Sequence, residues 1–320
     1  MPSIDLYALV RHFQLSPVQA RQLAACAQEQ PPVDWAARLW RGLVVVAALL
    51  LGGGLIFWIA AQWPEQTRSF KLHVLQAAVL LPLLAAMTLA QVRTTALLLA
   101  TLALGGLLAF VGQTYQTGAD AWQLFALWAA LALPWTIVAR SDGLWALWLL
   151  IVGAGLGFWI GLGTTAWDLL WQGGTLRRVL HLLLWLPVWL VPVLLPRLGW
   201  AAVARPTLSG PMGAGLALAA WTALGVQSLV LQNQWPLYLL ACLAVACLLA
   251  HAWRTRHLAV LGLGLIAANV LWLVGLGHGM FEHLRIGYTE GGLALMTLMI
   301  ALSVGGSAHW LYRLQKESAQ

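Results

Sequence analysis

Long apolar runs, separated by short polar or basic breaks, set the rhythm of this chain. Within a run the apolar residues go all the way round a helical turn and leave no polar face, the signature of a helix buried in protein or lipid. Crossing a bilayer takes about 20 such residues. Ten stretches approach or reach that length: residues 42–61, 72–90, 95–111, 121–139, 144–162, 179–195, 212–231, 236–253, 257–276 and 291–311. The pattern predicts an all-α, polytopic helical membrane protein with about ten transmembrane helices. The 95–111 and 179–195 runs are the shortest, and Pro187, Pro192 and Pro196 are expected to kink or shorten the latter.

The segment before the first run reads differently. Ile4, Leu6, Leu9, Val10 and Phe13 recur at helical spacing. Ser16-Pro17-Val18-Gln19 then offers a cap, a proline at the first helical position and a glutamine three residues after the cap. Val18, Leu23 and Cys26 continue an apolar stripe until Pro31-Pro32. A small cytoplasmic helical hairpin over residues 1–38 follows, packed on the membrane surface or serving as a docking module. The remaining chain divides into residues 39–165, with membrane helices one to five, and 166–320, with helices six to ten. No basic tip precedes a short apolar core, so the first run is expected to act as a retained signal anchor.

Composition agrees with the pattern. Hydrophobic residues make up 61% of the 320 and charged residues 8%, against about 25% charged in a soluble domain. Too little charge remains to cover a water-soluble globule, which excludes a soluble enzyme, and the apolar content excludes disorder. The net charge of +7 comes from arginines scattered between apolar runs. That layout sets topology and offers no stripe for nucleic acid. With the N-terminus in the cytoplasm, twelve basic residues lie inside and five outside, while the acids divide evenly. Both termini are therefore expected in the cytoplasm, in an inner-membrane protein. Cys26, Cys242 and Cys247 form no disulfide framework and read as small hydrophobes.

Glycines mark packing faces. Gly153, Gly157 and Gly161 recur every four residues on the fifth run, a spacing that lets helix backbones approach closely in lipid. A faint echo links Trp122-Gln123-Leu124-Phe125 to Trp235-Pro236-Leu237-Tyr238. Chance similarity between Leu/Ala/Trp-rich helices accounts for it.

Candidate chemistry begins with an absence. All 17 basic and 10 acidic residues fall in breaks or at run ends. Ion-coupled transport usually needs an ionisable group at mid-membrane, so this distribution argues against it. Uncharged polar residues instead collect on the expected outer side, partly as the Trp and Tyr belt of any bilayer interface. Gln76, Gln227 and Asn269 are set deeper and need hydrogen-bond partners. The densest polar segment is Gly112-Gln113-Thr114-Tyr115-Gln116-Thr117-Gly118-Ala119-Asp120, expected as an outer turn. Amides, a phenol and a carboxylate suit a sugar, a lipid headgroup or a peptide strand. On the structural reading, Asp120 caps the next helix and the amides tie the turn together.

The residues here support a resemblance. Trp58-Ile59-Ala60-Ala61-Gln62-Trp63 follows a glycine-rich first helix. Lys71, Gly112-Gln113-Thr114-Tyr115-Gln116, Asp120, Leu124-Phe125, Trp128 and Leu133-Pro134-Trp135 come after it. Together with the N-terminal hairpin, this set resembles the bacterial multi-pass membrane family of domain of unknown function 2157, over roughly residues 4–165. Gln62 stands where that family often has Asn. The resemblance implies a bacterial inner-membrane protein and brings no activity with it.

Enzyme motifs are sparse. His278-x-x-x-Glu282-His283 lacks the spacing of a zinc hydrolase. No Gly-x-Ser-x-Gly and no phosphate-binding loop occurs, and Ser209-Gly210 shows no evident base. The sequence therefore favours a non-catalytic envelope component, without cofactor or metal. It would bind or pass a neutral or lipidic ligand at its outer face, with membrane lipid around it and a membrane or periplasmic protein as partner. Gln62, Trp63, Gln113, Tyr115, Gln116 and Asp120 would form the site. Two alternatives stay open. One is an intramembrane enzyme on a lipid-linked substrate, with Asp120 or Glu282 as base and His181 or His278 as acid. The other is a transporter or channel without mid-membrane charge coupling.

Overall fold

The computed structural model describes residues 67–115, 118, 120–160, 175–194, 207–283 and 289–319, with scattered positions between 12 and 54. The chain divides into two compact units, Met1–Leu50 and Leu51–Gln320. In the first, the Ser16 backbone N–H donates to Gln19 Oε1 at 3.0 Å, and the Gln19 N–H donates to Ser16 Oγ at 3.3 Å. This reciprocal pair is the capping box that the Ser-Pro-Val-Gln spacing predicts. The rest of the expected hairpin, and most of the first apolar run, lie outside the described residues.

The second unit is helical, and its described residues contain no strand. Its helices are α1 (Arg68–Thr88), α2 (Arg93–Tyr115), α3 (Ala121–Ala139), α4 (Asp142–Ile160), α5 (Thr175–Leu194), α6 (Ser209–Val230), α7 (Trp235–Thr255), α8 (Leu258–His278) and α9 (Glu290–Ala319). A π-helical turn, Gly279–His283, prolongs α8. Eight of them are long and apolar enough to cross a membrane, and Arg178–Leu194 within α5 is a shorter apolar helix. The fold is all-α, as the apolar runs predict.

Helix α6 is the hub, packing against α4, α5, α7 and α8. Its buried side includes Gly213, Ala214, Ala217, Leu218, Trp221, Leu224, Gly225 and Ser228. The small residues are there for contact. A Cβ on Gly213 would overlap the Val188 carbonyl of α5, and one on Gly225 would come within 2.7 Å of Leu271 on α8. Close approach matters because lipid supplies no hydrophobic drive for one helix to seek another. Gly153, from the expected four-residue stripe, and Gly155, which that stripe leaves out, act in the same way on two sides of α4. A Cβ on Gly153 would meet Leu216 at 3.1 Å, and one on Gly155 would meet Phe125 at 3.0 Å.

One expectation changes. The 95–111 run is not short, because α2 continues through Gln113, Thr114 and Tyr115 for 23 residues. Polar side chains at a membrane interface do not stop a helix; they only end its apolar window. The 179–195 run stays a shorter apolar helix, as its prolines lead one to expect, yet it runs along the bundle with Pro187 and Pro192 inside α5. Its neighbour shows this. Arg178 Nη1 donates to Gln234 Oε1 at 2.6 Å beyond the end of α6, and Trp221 Nε1 donates to the Leu182 carbonyl at 3.0 Å. Val188 meets Gly213 near the α6 start. Helix α5 therefore runs antiparallel along the whole of α6.

Indole N–H groups tie the helices together. Trp128 Nε1 donates to the Thr101 carbonyl at 2.8 Å and Trp135 Nε1 to the Thr101 hydroxyl at 2.9 Å. Trp148 Nε1 donates to the Ala129 carbonyl at 2.9 Å, and the Tyr238 hydroxyl to the Leu271 carbonyl at 2.8 Å. Asn269, one of the deep amides, is partnered too. Its Nδ2 donates to Ser307 Oγ at 2.9 Å and to the Leu265 carbonyl at 2.8 Å, while Ser303 donates to its Oδ1. These bonds clasp α9 onto α8.

Both ends of the bundle can be traced. Asp142, at the start of α4, receives the backbone N–H groups of Leu208 and Ser209 at 2.6 and 3.1 Å. The Thr207 hydroxyl donates to it at 2.9 Å, and the Ser209 hydroxyl also donates to it. One carboxylate so caps α6 from another helix and fixes the starts of α4 and α6 at the same end. Ser209 does have a carboxylate beside it, contrary to the sequence reading, but that carboxylate is taken up by four donors. The opposite end holds Asp120, the Gln232-Asn233-Gln234 turn and the π-helical turn. There Phe125 stacks on Phe158 with ring centres 5.2 Å apart, and His278 Nε2 lies 3.2 Å from Asn233 Oδ1.

Candidate functional site

A cleft with polar residues in its lining lies between the last turns of α2 and the first turns of α3. It encloses about 680 Å³ and is lined by Leu108, Val111, Gln113, Asp120, Gln123 and Leu127, among others. The two helices set its character. Leu108 and Val111 on α2, with Leu124 and Leu127 on α3, make apolar walls, while Gln113, Gly118, Asp120 and Gln123 form the rim. From Asp120 to Leu127 the wall runs about 10 Å down the helix axis. The cleft is thus polar at its mouth and apolar at depth.

The α2–α3 seam beneath it is closely packed. Gly105 lets the Trp128 ring lie on the α2 backbone, where a Cβ would overlap the indole. That indole bonds Thr101, and Val79, Ala103 and Leu104 pack beside it. The turn above depends on glycine. Gly118 has φ +64, a left-handed conformation that side chains resist.

Asp120 occupies the N-cap position of α3 with extended backbone angles, φ −63 and ψ 150, yet its side chain makes no capping bond. Its Oδ2 instead accepts the indole N–H of Trp122 at 3.3 Å. The capping role predicted for this carboxylate is not what the side chain does, which leaves its charge at the rim of the cleft. Gln113 joins it there. Tyr115 is 64% exposed and does not line the cleft. Two residues along a helix turn the side chain about 200° from Gln113. Gln62, Trp63 and Gln116 lie outside the described residues. Gly112 to Tyr115, expected in a turn, form the last turn of α2, so the connection itself is only 116–120.

Gln123, Leu124 and Leu127 were not among the residues assigned to a site from sequence. Their signal was present: they stand three, four and seven positions after Asp120, on one helical face. Of the acid–base candidates, Asp120 meets Trp122, while His278 meets Asn233 and packs on Trp235 with ring centres 5.8 Å apart. Glu282 is exposed on the π-helical turn. These contacts join neither carboxylate to a histidine. Among the described residues, no three His, Cys, Asp or Glu side chains converge as metal ligands.

Residues 8–145 match the family model described as "Predicted membrane protein (DUF2157)". The match covers α1, α2 and α3, and with them both walls of the cleft, and it bears out the resemblance drawn from the Gln-x-Tyr-Gln segment. Together with the long apolar helices it establishes a membrane protein. No curated protein and no solved structure matches the chain.

Proposed function

We propose that this protein is a non-catalytic component of a bacterial inner membrane. It holds an amphiphilic ligand at the Asp120 end of the bundle, or passes it to a partner protein. The observation that carries the reading is the division of the α2–α3 cleft into an apolar wall and a polar rim. Such a gradient fits a lipid with its chain along Leu108, Val111, Leu124 and Leu127 and its head among Gln113, Asp120 and Gln123. Gln62, Trp63 and Gln116, which lie outside the described residues, would complete the head-binding set, and Tyr115 would not.

Charge supports an outward-facing cleft. At the Asp120 end, Arg68, Lys71 and Arg178 are balanced by Asp120, Glu282 and Glu290. At the other end, among the residues whose side chains are described, Arg93, Arg140, Arg254, Arg256, Arg313 and Lys316 face one acid, Asp142. The basic excess marks the cytoplasmic side, and both termini would lie there.

The test fills the cleft. Leu124→Trp should strip lipid that the wild-type protein carries through detergent exchange, read by native mass spectrometry, while the helical circular-dichroism signal and elution volume stay unchanged. Equal lipid retention by the folded variant would refute the reading.

A further inference from the structure

The rim of the cleft names the ligand further, on the footing of the lipid reading above. Asp120 is the one charged residue among the described residues lining the cleft. Its carboxylate is exposed, does not cap α3, and takes one long bond from Trp122 at 3.3 Å. The positive N-terminal dipole of α3 does not neutralise it alone. Helix α2 brings its negative C-terminal end to the same mouth through Gly112 and Gln113, and the two dipoles oppose each other. A net negative charge therefore stands where a lipid head would sit, ringed by the Gln113 and Gln123 amides.

The apolar wall cannot provide the discrimination. A chain moving from bilayer into the cleft exchanges one hydrocarbon surrounding for another and gains little. Recognition must come from the head, and a carboxylate at the rim favours a group with both positive charge and N–H donors. We infer that the cleft selects a membrane lipid whose head carries a protonated primary amine. The ammonium would donate to Asp120 and to the amide oxygens of Gln113 and Gln123. A head with net negative charge would be repelled, and a sugar head would bond the amides without neutralising the carboxylate.

The experiment uses the full chain in nanodiscs containing equal parts of phosphatidylethanolamine, phosphatidylglycerol and a neutral galactolipid, with bound lipid identified by native mass spectrometry. The wild-type protein should retain phosphatidylethanolamine preferentially. Asp120→Asn should lower that preference about tenfold, the size of losing one charge-assisted bond, and Asp120→Glu should restore most of it. Leu124→Trp should abolish retention of all three lipids. Millimolar ethanolamine in solution should fail to displace the lipid, whose head the bilayer holds at a far higher local concentration. A preference that survives Asp120→Asn, or a wild-type preference for either other lipid, overturns the amine inference and leaves the cleft standing. Undiminished retention in Leu124→Trp, or full displacement by ethanolamine, overturns the lipid cleft itself.

Discussion

Asp142→Asn is the sharpest test of how the bundle is held. In the native protein Oδ2 takes Thr207 Oγ1 at 2.9 Å and the Leu208 N–H at 2.6 Å, while Oδ1 takes both donors of Ser209. An asparagine has one acceptor oxygen and turns an NH2 group toward the second pair of donors. Two bonds are lost, two donors face another donor, and the charge that favours the N-termini of α4 and α6 is gone. A charge-assisted bond contributes roughly 1.5–3 kcal/mol and a helix cap roughly 0.5–2 kcal/mol. Asp142 is only half-buried, so water replaces part of what is lost, and the expected destabilisation is about 2–3 kcal/mol. The assay is equilibrium unfolding in mixed micelles with increasing dodecyl sulfate, followed by helical circular dichroism. Ser209→Ala in each background completes a double-mutant cycle. On its own it should cost about 1 kcal/mol, and after Asp142→Asn clearly less, because its acceptor is already impaired. A loss below about 0.5 kcal/mol for Asp142→Asn, or strict additivity of the pair, would refute the trans-helix cap.

Two further substitutions probe the cleft turn and the α8–α9 clasp. Gly118→Ala should cost about 1–2 kcal/mol from the left-handed backbone alone, since nothing lies within 4 Å of the added methyl group. A melting temperature equal to wild type would show that the turn is not held in this conformation. Asn269→Leu removes the bonds to Ser303 and Ser307, and interhelical bonds in membranes average about 0.6 kcal/mol each, with a maximum of about 1.7. Amide hydrogen exchange in α9 should then rise severalfold while α6 stays protected; a uniform rise across the bundle would contradict the local clasp.

The helices were legible because length and hydropathy are one-dimensional properties. The 121–139 run coincides with α3 to the residue. Where the reading of α2 fell short, the cause was the rule that an apolar window equals a helix. Gln113 to Tyr115 continue α2 without adding to its hydropathy, and α5 accommodates two prolines along a neighbour whose Gly213 lets Val188 come close. Pairwise facts were not legible. Nothing in the sequence joins Asp142 to Ser209, or Asn269 to Ser303 and Ser307, because each pair is brought together by helices whose mutual rotation only packing decides. The cleft falls between these cases. Gln113 and Asp120 stood out as polar residues beside apolar runs, whereas the walls, made of ordinary leucines and valines, became visible only when α2 and α3 were side by side. The arginines that end α3 and α7 teach the same lesson. Arg140 and Arg256 take left-handed φ of 51 and 53 where glycine is usual, and Arg256 recovers part of the cost by lying 4.6 Å above the Trp253 ring.

The clasp on α9 has a consequence for how the protein is made. Asn269 and its partner Ser303 are 34 residues apart in the chain. At roughly 5–20 residues per second of synthesis, Asn269 exists for about 2–7 s before that serine does. Throughout this interval the amide has the Leu265 carbonyl of its own helix as a partner, at 2.8 Å, but its oxygen still lacks the serine donor. A nascent α8 is thus born with a polar group at lipid depth that only the next helix can satisfy. Any membrane insertase that holds unfinished helices has at Asn269 a specific reason to wait for α9.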